Sequence, residues 1–146
     1  MLNTDNNYLK YWRVVRFWVK AKHNLSTPEL EMLLFLYSEE YFNKTKFKEF
    51  EQLMAWDVNR FDDLLKKGWI KVWRKKSGKY TTLYELSYKG KRVVATIYKK
   101  LNGEEIAESP GLNPLFRSDA TYMQKVYRNS IKEMNEFIKQ QRYLSQ

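Results

Sequence analysis

Apolar residues recur at helical spacing from the start of the chain. Tyr8, Tyr11, Trp12, Val15, Trp18 and Val19 form one stripe over residues 8–22, with Lys10, Arg13, Arg16 and Lys20 mostly off it, the pattern of an amphipathic helix. A second helix is expected to open near Ser26-Thr27-Pro28-Glu29. Thr27 can cap it with Pro28 at the first helical position, or Ser26 can share a capping box with Glu29. Leu30, Leu33, Leu34 and Tyr37 are its expected buried face, and it should end near Tyr41-Phe42-Asn43. Phe47, Phe50 and Leu53 predict a short third helix from Thr45. Asp57 suits the cap of a fourth helix running to about Lys67, with Val58, Phe61, Leu64 and Leu65 inward. Gly68 would stop that helix, after two lysines placed where cations complement the helix dipole.

The period then changes. Ile70–Trp73 and Thr81–Leu86 are rich in β-branched and aromatic residues, and Lys76-Ser77-Gly78-Lys79 lies between them as a turn. Ser87 is placed to cap a helix from Tyr88 to about Leu101, closed by Asn102-Gly103. Residues 104–118 hold Pro110, Gly111 and Pro114 and are expected to connect. A last helix, about 119–142, carries Met123, Val126, Tyr127, Ser130, Ile131, Met134, Phe137 and Ile138 on one stripe. The expected class is mainly α with a small β-hairpin (α+β), in one domain of 146 residues. The apolar stripes of the first and last helices need cover: core packing is one reading, a dimer seam the other.

Apolar residues are 43% of the chain and charged residues 30%, a balance that fits a folded rather than a disordered protein. There is no cysteine, which fits a cytoplasmic setting and leaves no thiolate chemistry. The first residues lack a cationic start followed by an apolar run, so no secretion signal is expected, and the longest apolar run is too short to span a bilayer.

Charge changes the picture more. The net charge is +10, and residues 70–103 hold ten Lys or Arg against one Glu, while residues 57–69 balance to zero. Charge concentrated in this way points to a polyanion partner, with a solvated lysine-rich face as the plain alternative. Lys71, Arg74, Lys75, Lys76 and Lys79 are the candidate phosphate contacts, since long cations on a hairpin can straddle a backbone or enter a minor groove. Asn59 and Arg60 can in principle read adenine and guanine edges, with Lys66 and Lys67 beside them. Tyr80, Tyr84 and Tyr88 can stack on bases, although packing is their default role. Trp56, Trp69 and Trp73 are expected in core or sheet.

Catalysis finds no support in the residues. The single histidine, His23, has neither a cysteine nor a second histidine with which to hold zinc, and the glycines occur singly rather than in a phosphate loop. No catalytic residue, cofactor or metal is expected.

Three segments in order carry a resemblance: Leu25-Ser26-Thr27-Pro28-Glu29-Leu30, then Leu64-Leu65-Lys66-Lys67-Gly68-Trp69-Ile70, then Tyr84-Glu85-Leu86-Ser87-Tyr88-Lys89-Gly90-Lys91. Over residues 8–103 the chain resembles the multiple-antibiotic-resistance-regulator (MarR) family of winged helix-turn-helix proteins. The resemblance implies an N-terminal helix over 8–25, a winged-helix core over 26–103 with a wing at about 70–86, a connecting loop over 104–118 and a C-terminal helix over 119–142. It implies transcriptional regulation on double-stranded DNA in the cytoplasm, with the helix after Asp57 in the major groove. It also implies a homodimer with its terminal helices paired, which would place Tyr8, Tyr11, Trp12, Val15, Trp18, Met123, Tyr127, Ile131, Met134, Phe137 and Ile138 at the seam.

Two features depart from the family. The helix-turn-helix is shorter and exposes Asp62 and Asp63, and the wing tip, Arg74-Lys75-Lys76-Ser77-Gly78-Lys79, has no acid. Both weight the expectation toward backbone attraction over base reading. The compact, aromatic- and lysine-rich form is also similar to winged-helix proteins of bacteriophages. That implies an alternative: a virion or assembly component using the fold to pack against other phage proteins.

Overall fold

The fold is taken from a computed structural model that describes residues 8–144 except 55 and 57–59, with side chains from residue 11 onward. Asp57, Val58, Asn59 and the Tyr8 side chain therefore lie outside the described residues. The helices are α1 (Tyr8–His23), α2 (Thr27–Glu39), α3 (Lys44–Leu53), α4 (Arg60–Lys66), α5 (Tyr88–Leu101) and α6 (Tyr122–Leu144). The strands are β1 (Ile70–Arg74) and β2 (Leu83–Leu86), and a 3-10 turn spans Pro114–Phe116. None of the described helices is long and apolar enough to cross a membrane. The α+β class expected from the pattern is what the chain adopts.

Two compact units divide the chain: Ser26–Val94, and Met1–Leu25 together with Ala95–Gln146. In the first, Ser26 is the cap of α2. Its hydroxyl accepts from the Glu29 amide at 3.2 Å and its own amide donates to the Glu29 carboxylate at 3.0 Å, with Pro28 in the first turn. Of the two starts left open by the sequence, the capping box forms. The buried face of α2 is Leu30, Met32, Leu33 and Leu36, while Tyr37 is exposed. The expected face is thus rotated, because a helix apolar on most sides is oriented by its neighbours and not by its own pattern. Phe47 and Phe50 of α3 are buried and Leu53 is exposed; Phe61 and Leu64 of α4 are buried. Aromatic rings hold these helices together. Phe47 meets Phe61 edge-on at 5.1 Å and Phe35 meets Trp56 at 5.5 Å, separations at which edge contacts are favourable.

Glu29 also receives the Lys67 ammonium, at 2.8 Å. Burial works to raise the Glu29 carboxyl, but hydrogen bonds from Lys67 and Ser26 and the lysine's charge outweigh it, leaving it below its ordinary 4.5. A carboxyl held lower in the folded than in the unfolded chain adds stability above the unfolded value and loses it as pH falls through the folded one. Glu29→Gln should therefore cost about 1 kcal/mol at neutral pH, a small amount because Lys67 is half in water. The difference from wild type should close as pH drops below about 4.5. Urea unfolding of both proteins between neutral pH and about pH 3 checks this, and a gap that widens in acid would contradict it.

Gly90 opens α5 against the turn after α4. A side-chain carbon there would lie 2.9 Å from the Trp69 carbonyl oxygen, which already accepts from the Ser87 amide at 2.9 Å. Only glycine fits this approach of two backbones.

In the second unit α1 packs on α6, with the 3-10 turn against both. Phe17 stacks on Tyr127 at 4.0 Å and 7°, and Tyr11 lies 6.1 Å from Phe137. The segment over 104–118, expected as a plain connection, is an ordered structure. Ile106 and Leu115 are buried, and two buried asparagines tie the segment down. Asn135 accepts from the Ile106 amide at 2.9 Å and donates to the Ile106 carbonyl at 2.7 Å. Asn113 accepts from the Leu115 amide at 3.0 Å and donates to the Ala107 carbonyl at 2.8 Å.

Candidate nucleic-acid interface

The hairpin is built outward from its buried end. Ile70 pairs with Leu86, Lys71 with Glu85 and Val72 with Tyr84, all antiparallel. Ile70 and Leu86 are both buried. On its other edge β2 is bridged by Phe42, which exchanges hydrogen bonds with Tyr84 at 3.1 and 2.7 Å. At the tip Ser77 and Tyr80 exchange two hydrogen bonds across Gly78-Lys79. Gly78 has φ +57°, and a glycine at positive φ in the first position is what a tight type II′ hairpin loop requires.

Alternation fails between these ends. After Val72↔Tyr84 the next pair is Arg74↔Leu83, so Trp73 has no residue opposite and the strand bulges. A bulge adds twist and re-aims side chains. As a result Val72, Trp73 and Arg74 are all exposed, although a half-buried strand would hide every second one. Trp73 thus lies in the sheet, as expected, but on its open side, 46% exposed. Its support is Tyr41, whose ring lies 4.1 Å away at 33°. Tyr41 is delivered by a tight reversal at the end of α2. The Tyr41 amide donates to the Glu39 carbonyl at 2.8 Å around Glu40, at φ 64° and ψ −75°. These are the angles of a γ-turn of the strained hand, rarely held by a non-glycine residue.

All of residues 71–80 are exposed, and no acid occurs between Ile70 and Tyr84. The structure brings Lys71, Arg74, Lys75, Lys76 and Lys79 together on this one hairpin, and among the described residues none of the five pairs with a carboxylate. Glu85, opposite Lys71, is taken by Lys91 at 2.7 Å. That hydrogen bond, against some burial, raises the Lys91 ammonium above its ordinary value. The Arg74 guanidinium lies 5.9 Å from the Trp73 ring and 5.4 Å from the Tyr80 ring, with Lys79 5.7 Å from Tyr80. Exposed cations and exposed rings thus lie beside one another on the hairpin.

The other sequence-predicted residues fall elsewhere. Arg60 is half-buried at the start of α4, and Lys66 is exposed at its end beside exposed Asp62 and Asp63. Lys67 lies past that end, committed to Glu29. Tyr84 packs edge-on against Phe61 at 4.7 Å, while Tyr88 is 73% exposed on α5. Of the residues placed at a dimer seam, Tyr11, Val15, Trp18, Ile131, Met134 and Ile138 are buried within the one chain, Trp12, Tyr127 and Phe137 are half-buried, and Met123 is exposed. No family model, curated protein or solved structure matches this chain, so what the hairpin does has to be read from its own geometry.

Proposed function

We propose that the unit over Ser26–Val94 is a winged helix-turn-helix of MarR-like type, and that the protein binds double-stranded DNA as a transcriptional regulator. The observation that carries this reading is the hairpin: ten consecutive exposed residues, five of them cations with no acid partner among the described residues. Phosphates supply what those cations lack. The order α2, Phe42 bridge, α3, α4, β1, β2 supports the winged-helix part, since it sets a basic hairpin directly after a pair of short helices. On this reading the wing grips the backbone and α4, two turns long with Asp62 and Asp63 exposed, adds little base contact.

Self-association enters through the start of α6. Tyr122, Met123 and Val126 are exposed at 80%, 52% and 40%, whereas most of the expected seam is already covered by the chain itself. Selection from random duplexes, run together with sizing at tens of micromolar, tests both parts. Enrichment of one site by a dimer supports regulation. Binding without enrichment, with the chain at fixed copy number in purified phage particles, would transfer it to the virion role.

A further inference from the structure

The proposal that the hairpin grips phosphates leaves its two exposed rings unused. In a duplex the bases are stacked and their faces hidden, so Trp73 and Tyr80 would find no partner there. An unpaired base offers a π-face and brings a phosphate with it. We infer that the bulged face of the hairpin, Trp73 and Tyr80 around Arg74, holds unpaired bases of single-stranded DNA. This rests on the nucleic-acid reading above and adds unpaired bases to the duplex backbone as a second thing the hairpin holds.

Four observations support it. The bulge leaves Trp73 without a cross-strand neighbour and turns it outward, where Tyr41 at 4.1 Å fixes the indole and leaves it 46% exposed. Tyr80, 57% exposed, stands where the tip begins its return. The Arg74 guanidinium lies within 6 Å of both rings, at 5.9 and 5.4 Å, within the range of cation–π attraction, so a phosphate paired with it would bring its base beside the rings. The face is cationic throughout, with no acid before Glu85. That charge selects a polyanion over an apolar protein partner.

Binding of the full chain to three probes separates the possibilities: a 15-residue oligothymidylate, a strand of equal length and charge whose sites are all abasic, and a 15-base-pair duplex. One stacked base is worth on the order of 10-fold, so the wild type should bind oligothymidylate at least about 10-fold more tightly than the abasic strand. Trp73→Ala with Tyr80→Ala should bring that ratio to about one, with the abasic affinity changed less than about twofold. Trp73→Phe, which keeps a ring, should retain most of the preference. Equal binding of the two single strands by the wild type would overturn the inference, and needs no variant to show it. In that case a salt-sensitive duplex affinity would leave the backbone grip standing; failure of all three probes to bind would remove both.

Discussion

Replacing Arg74, Lys75 and Lys76 together by alanine should lower affinity for mixed-sequence duplex DNA by about 500-fold at 0.1 M salt. The figure follows from counterion release. Each phosphate neutralised contributes about 0.9 to the slope of log affinity against log salt, so three lost contacts remove about 2.7 from that slope and about 2.7 decades of affinity at 0.1 M. The loss should be alike for all sequences, because phosphate contacts carry no sequence information. Stability should hardly move. All three side chains are exposed and none has a carboxylate partner among the described residues, and surface changes of this kind stay within about 0.5 kcal/mol. Fluorescence anisotropy with labelled duplexes reads the affinity and urea unfolding reads the stability. A variant that binds as well as wild type would place the DNA contact elsewhere.

The largest effect on stability is expected at Asn135. Its side chain is 1% exposed and closes both backbone groups of Ile106, at 2.9 and 2.7 Å, while reaching Glu108 at 2.9 Å. Alanine would leave a buried N–H and a buried carbonyl without partners, each costing about 1–3 kcal/mol. A total near 3 kcal/mol follows, a fall in Tm of roughly 10 °C for a chain of this size. Asn135→Asp is the more telling variant. It keeps an acceptor for the Ile106 amide, cannot donate to the Ile106 carbonyl, and sets a second carboxylate beside Glu108. At neutral pH it should lose at least as much as alanine. As pH falls below about 5 it should regain part of that loss, since protonation removes the repulsion and restores a donor. Calorimetry across that range checks the sign.

These two sites differ in how far the sequence exposes them. The cations of the hairpin are legible because charge can be counted along a chain, and Gly68, Gly78 and the Ser26–Glu29 box mark element ends by local chemistry alone. Helix existence follows from periodicity for the same reason. What depends on contacts across the fold is not legible. Asn135 and Asn113 look like ordinary polar residues until the segment over 104–118 is seen folded about Asn113 and lying against Asn135. The buried face of α2 is not legible either, because several of its sides are apolar and only its neighbours choose among them. The exposure of Trp73 is not legible because a strand pattern assumes unbroken alternation, and no residue signals that the pairing skips from Val72 to Arg74. The commitment of Lys67 to Glu29 is hidden for the same reason, since the two lie 38 positions apart in sequence.

The central claim is that the hairpin holds a nucleic-acid backbone through its five exposed cations. The most direct test is the affinity of the wild-type protein for a mixed-sequence duplex, measured from about 0.05 to 0.3 M salt. Five phosphate contacts predict a straight line of log affinity against log salt with slope about −4 to −5 per wing. A slope near zero, or no binding at the lowest salt, would contradict the claim.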